Sequence, residues 1–141
     1  MSKTYIPAAL RRLVCDRANH ACEYCLMPEI AVLAPHEVDH VIAQKHGGQT
    51  DETNLALACT ICNKYKGSDL TSIDPSNGEI VRLYQPRHDR WCDHFQLKDG
   101  EIQPLTAIGR VTVRLLQMNR PERLEERTVL LQANVLIVPD S

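Results

Sequence analysis

The spacing of apolar positions changes several times along the chain, and each change marks an element. From Pro7 to about Asn19, Leu10, Leu13, Val14 and Arg17 recur at helical spacing while Arg11 and Arg12 fall outside, which predicts a helix with one face against the body. After Pro35 the β-branched Val38, Val41 and Ile42 predict a short strand. Gly47-Gly48 and the polar run Gln49-Thr50-Asp51-Glu52 predict a long turn, and Asn54-Leu55-Ala56-Leu57 a return strand. Asn63-Lys64-Tyr65-Lys66-Gly67 predicts a short helix with Asn63 in its first turn. Further on, Asp74-Pro75-Ser76-Asn77-Gly78 reads as a turn before a strand over Ile80-Val81-Arg82-Leu83. Asp99-Gly100 separates a segment ending near Leu97 from one resuming at Ile102. Helices are predicted over Thr106 to Met118 and Glu122 to about Leu136, with Pro121 opening the second. Val111, Leu115 and Met118 are spaced as a core face.

Composition narrows what such a chain does. With 141 residues, 43% hydrophobic and 24% charged, the expectation is one folded domain over 1–141, neither disordered nor fibrous. No run approaches the ~18 apolar residues of a membrane span. The start Met1-Ser2-Lys3-Thr4-Tyr5 has no signal-peptide core, so a cytoplasmic protein without a membrane partner is expected. A net charge of −2 excludes a polybasic tail as the grip on a polyanion, which leaves local patches and metal ions. At 4% aromatic, a stacking platform for single strands is a poor candidate. Residues 82 to 120 hold seven basic and four acidic side chains, either a phosphate-binding face or ordinary solvated surface.

The cysteines carry the chemistry. Cys22-Glu23-Tyr24-Cys25 and Cys59-Thr60-Ile61-Cys62 are two C-x-x-C pairs, and two such turns complete a tetrahedral S₄ shell for zinc. Nothing in the sequence calls for an oxidising compartment, which favours thiolates and zinc over disulfides. Cys15 and Cys92 read as small buried hydrophobes. The long interval between the pairs holds the two strands and the turn, with the second knuckle in the strand-to-helix turn.

His36-Glu37-Val38-Asp39-His40 also satisfies H-E-x-x-H, the zinc-protease pattern. That chemistry needs both histidines one helical turn apart, and Val38, Val41, Ile42 and the glycines at 47 and 48 leave a helix little length. His36 and His20 are expected at the surface.

Asp39-His40, His46-Gly47-Gly48, Asn54-Leu55 and Cys59-x-x-Cys62-Asn63-x-x-Lys66-Gly67 together resemble the motif of the HNH endonuclease family, in its four-cysteine zinc version with Asn in place of the last His. The resemblance is close over about residues 20 to 67. Trp91-x-x-His94-Phe95 and Gly109-Arg110-x-Thr112-Val113 are similar to a subgroup of small HNH proteins. It implies an α+β fold, a ββα-metal (His-Me finger) core with a structural four-cysteine zinc and flanking helices. The parts are an N-terminal helix at about 7–19, the zinc module at about 20–67 and a C-terminal accessory part at about 68–141.

The implied activity is metal-dependent hydrolysis of DNA phosphodiester bonds. On this resemblance His40 is the general base, since an imidazole with an ordinary pKa of about 6.5 can accept a proton at neutral pH. Asp39 and Asn63 are the oxygen donors to a catalytic Mg²⁺ or Mn²⁺, with Glu37 either a further donor or simply solvated. Asn54 is the residue that holds the loop behind His40. Lys64 and Lys66 are expected on the DNA backbone, and His46 is either a phosphate contact or a loop residue. Neighbours on an ideal strand point to opposite faces, so Asp39 and His40 address one phosphate only if the strand bulges or ends at His40. A zinc module that binds nucleic acid without cutting it is the alternative. Oligomeric state stays open, since one active site per chain cuts both strands only as a dimer or in two encounters.

Overall fold

The computed structural model describes residues 5–139; the reading of Met1 to Thr4 lies outside the described residues. The chain is mixed α and β, built from three separate antiparallel hairpins with helices between and around them. Helix α1 (Ala8–Arg17) starts directly after Pro7, whose ring suits a helix start, and ends before Asn19 and His20, both at positive φ. It is shorter at each end than the apolar spacing predicts. No helix among the described residues is long and apolar enough to cross a membrane.

Strands β1 (Glu37–His40) and β2 (Leu55–Ala58) pair in register Glu37 to Ala58 and His40 to Leu55. All four β2 residues are buried, because the strand is covered on both faces. Leu55 and Leu57 meet Val14 of α1, with Val38 beside them. Residues paired across the strands share a face, so Asp39 and Ala56 look the other way, towards α2 (Thr60–Lys66). Two strands alone leave β2 an open edge, and side chains close it: Glu23 accepts from Leu57 N at 2.8 Å and Arg17 donates to Leu55 O. Strand β1 ends at His40, although Val41 and Ile42 favour continuation on propensity alone.

The remaining elements are β3 (Thr71–Ile73), β4 (Ile80–Arg82), α3 (Trp91–His94), β5 (Phe95–Lys98), β6 (Glu101–Pro104), α4 (Ala107–Leu115) and α5 (Pro121–Gln132). Thr106 caps α4 by accepting from Gly109 N at 3.1 Å. This half is tied to the cysteine half through one core in which Tyr24, Cys22, Cys25, Cys59 and Cys62 pack with Tyr84, Trp91, Phe95, Leu116 and Met118. The Trp91 indole donates to the Tyr24 carbonyl at 2.9 Å, and the Tyr84 and Phe95 rings meet edge to face at 5.2 Å. Cys92 and Cys15 are only partly buried, and none of the six cysteines is in a disulfide.

The basic excess of residues 82 to 120 is largely absorbed by carboxylates. Arg82 pairs with Asp89, Arg87 with Glu23, Arg110 with Asp74 and Arg120 with Glu122. Asp74 is fully buried in the turn before β4, where it takes two bonds from the Arg110 guanidinium at 2.9 and 3.0 Å. Arg110 and the Ser76 amide hold its carboxyl well below the usual carboxylate range. A depressed folded pKa stabilises above the unfolded value of about 3.9 and loses that contribution as pH falls through the folded one. Asp74→Asn is therefore expected to unfold at a lower temperature than wild type at pH 7. The gap should close in thermal melts taken from pH 5 downwards.

Candidate metal centre and active site

The two knuckles come from unrelated local devices. Cys22 and Cys25 sit in a tight turn closed by Cys22 N to Met27 O at 2.9 Å and Leu26 N to Cys22 O at 3.0 Å, with Leu26 at positive φ. Cys59 is the residue before α2, and Cys62 lies in its first turn with its amide on Cys59 Sγ at 3.4 Å. Helix α2 thus begins three residues earlier than the sequence suggests. The four Sγ atoms lie within 4.8 Å of one another and all four residues are buried. A tetrahedral zinc with Zn–S bonds of about 2.3 Å places its sulfurs about 3.8 Å apart. Cys25 Sγ and Cys59 Sγ are 3.7 Å apart, so the cluster is positioned to hold that ion.

Residues 22–69 match the family model for HNH endonuclease. The likeness to HNH endonucleases covers this segment, about a third of the chain. No curated protein and no solved structure is significantly similar to the chain.

Within the matched segment, the second knuckle sets the position of α2 against β1. Two pairs cross that contact: Asn63 Nδ2 donates to Glu37 Oε2, and Lys66 Nζ lies 3.0 Å from Asp39 Oδ2. Residues 63 and 66 are one helical turn apart, and residues 37 and 39 share a strand face, so the spacings match. Glu37 is exposed, whereas Asp39 is 8% and Lys66 2% exposed. Burial pushes the Asp39 carboxyl up, and the Lys66 ammonium beside it opposes that without cancelling it. Lys66 also donates to the His40 carbonyl at 3.2 Å. A lysine expected on the DNA backbone is thus turned inward, because the buried Asp39 carboxylate needs a cation. Lys64 and His46 are exposed.

His40, the last residue of β1, is half-buried on the opposite face from Asp39, and its Nε2 is 2.8 Å from Thr50 Oγ1. The chain then leaves the strand because the Asn54 side chain replaces the ladder. Its Oδ1 accepts from Ile42 N at 2.9 Å, and its Nδ2 donates to Ile42 O and Gln49 O, each at 2.9 Å. Val41 N meets Asn54 O at 2.9 Å. One buried asparagine therefore joins both ends of the loop behind His40. Gly48 is required by the same closure, since a Cβ there would lie 1.7 Å from Ile42 O and 2.7 Å from Asn54 Nδ2. Thr50 carries no motif signal, being one of several polar residues in a turn.

His36 is buried, contrary to the surface expectation, with Nε2 2.7 Å from the Met27 carbonyl. It immediately precedes β1, so its Cα and that of His40 are separated by extended chain of about 13 Å. The helical pair that a zinc protease needs does not form.

Removing one partner of a buried ion pair strands the other charge. Lys66→Met is expected to destabilise the fold by about 3 kcal/mol or more in denaturant unfolding at neutral pH. Adding Asp39→Asn to that variant should recover much of the loss.

Proposed function

We propose that the protein is a metal-dependent endonuclease that hydrolyses DNA phosphodiester bonds in the cytoplasm, with residues 1–141 acting as one domain. The observation that carries this reading is the joint placement, around the end of β1, of an imidazole, an oxygen-donor face and the asparagine clamp, within a segment matching the HNH model. His40 is the general base. His40 Nε2 lies 2.8 Å from Thr50 Oγ1, and in the tautomer that donates its Nε2–H to that oxygen the Nδ1 lone pair is left to take a proton from an attacking water. Asn54 positions that imidazole by holding the loop in which Thr50 sits.

Glu37, Asp39 and Asn63 fit a hard cation in the chemistry of their donor set, two carboxylates and a carboxamide on facing elements, with Asp39 Oδ2 buried 3.0 Å from the Lys66 ammonium. These residues would hold Mg²⁺ or Mn²⁺, which supplies charge stabilisation at the phosphate and leaving oxygen when bound. Because β1 stops at His40, its two neighbouring side chains can stand on either side of one phosphate. Lys64 and His46, both exposed, contact the DNA backbone. Zinc at the four cysteines has a structural role.

Plasmid cleavage by the purified protein tests the reading. Supercoiled DNA should be nicked or linearised in Mg²⁺ or Mn²⁺ and left intact in EDTA. His40→Ala should cost about 10²- to 10⁴-fold in rate, the usual range for a lost general base. Thr50→Val should lower the rate while leaving DNA affinity unchanged. Retained binding with no cleavage of DNA, by a folded zinc-loaded protein, would instead establish a binding module.

A further inference from the structure

Two arginines lie buried where the protein itself offers them little negative charge. Arg123 and Arg127 stand four residues apart on α5, hence on one face, and are 6% and 0% exposed. Arg127 donates to Gly100 O and Met118 O, each at 2.6 Å, and to Asn119 Oδ1 at 2.9 Å, three neutral acceptors. Arg123 has one carboxylate contact, Glu126 Oε1 at 3.1 Å, on a side chain that is itself 41% exposed. Each guanidinium keeps a buried nitrogen with no hydrogen-bond partner, Nε of Arg123 and Nη1 of Arg127. Buried cations left in that state are strongly destabilising unless an opposite charge stands nearby.

The core against which this face of α5 packs contains the four cysteines, and Arg127 is bonded to the carbonyl of Met118, a member of that core. Four thiolates around one Zn²⁺ leave a net charge of −2 in a site with no exposed ligand. Two arginines supply +2. Burial opposes the charge on Arg123, yet Cys25 and Cys59 together with the Glu126 carboxylate outweigh it and raise its pKa. On Arg127 burial prevails and lowers it, with Cys25 and Cys62 acting against that shift. Leu130 and Leu131 of the same helix pack against the core that contains all four cysteines.

We propose that Arg123 and Arg127 of α5 are the charge partners of the tetrathiolate zinc centre and hold its ion in place from outside the ligand shell. This rests on zinc occupying the four cysteines. It makes the C-terminal helix part of the metal centre, although it lies far from the knuckles in sequence. Partners of this kind commonly change metal affinity by about 10- to 100-fold when removed.

The test uses the full chain and zinc, with no nuclease readout. Zinc content is measured first in the wild type, followed by the rate of zinc transfer to a chromogenic chelator. The sulfur-to-metal charge-transfer band of the Co²⁺-substituted protein is recorded alongside. Arg123→Met and Arg127→Met are expected to release zinc at least tenfold faster, whereas Arg123→Lys and Arg127→Lys stay within a few-fold of wild type. If Arg127→Met does not fold, Arg123→Met at the edge of the site decides. A folded Arg123→Met that releases zinc at the wild-type rate overturns the proposal, as do lysine variants that release it as fast as the methionine ones. A wild type purified without zinc, and unable to take up Co²⁺, overturns the zinc assignment itself and is told apart by the first measurement.

Discussion

The convergence of four cysteines on one point is the constraint from which the rest of the structure follows. One pair belongs to a turn after α1 and the other to the junction of β2 and α2, so bringing their sulfurs within 4.8 Å joins segments more than thirty residues apart. The junction is the critical one. Once Cys59 and Cys62 are held, α2 leaves β2 in a defined direction and lies along β1, which places Asn63 opposite Glu37 and Lys66 opposite Asp39. A short helix of seven residues has little stability of its own, and its orientation comes from the cysteines and from what it buries.

A second constraint works at the other end of β1. Asn54 uses its side chain as a strand would use its backbone, giving and taking hydrogen bonds at Ile42, and so ends the strand one residue after Asp39. The imidazole of His40 is then held by Thr50, from the loop that the same asparagine closes. Lys66 ties the same end of the strand to α2, reaching the Asp39 carboxylate and the His40 carbonyl from one ammonium. The Asp39 carboxylate and the His40 imidazole are thus supported by different elements, while one internal cation joins that carboxylate to the His40 backbone.

The knuckles, the two strands and the loop were legible because their signals are local: C-x-x-C spacing, β-branched runs and paired glycines. The strand end was not, because Val41 and Ile42 favour extension and only the distant Asn54 side chain overrules them. Lys66 at a helix end looks like a surface cation until the burial of Asp39 is known. His36 looked exposed for the same reason, since its carbonyl partner at Met27 is set by the first knuckle. Strand β3 and helix α3 are three and four residues long, too short for a periodic pattern to show. Arg123 and Arg127 lie among Glu122, Glu125 and Glu126, and one dimension cannot separate an inward charge from a solvated face.

The chain has a single tryptophan, and its indole N–H is held by the carbonyl of Tyr24, a residue between the two cysteines of the first knuckle. Trp91 is 3% exposed in that position. Any loosening of the knuckle withdraws its hydrogen-bond acceptor and admits water to the ring. The fluorescence of this protein is therefore an intrinsic optical gauge of its four-cysteine cluster, with no label needed and no second indole to dilute the signal.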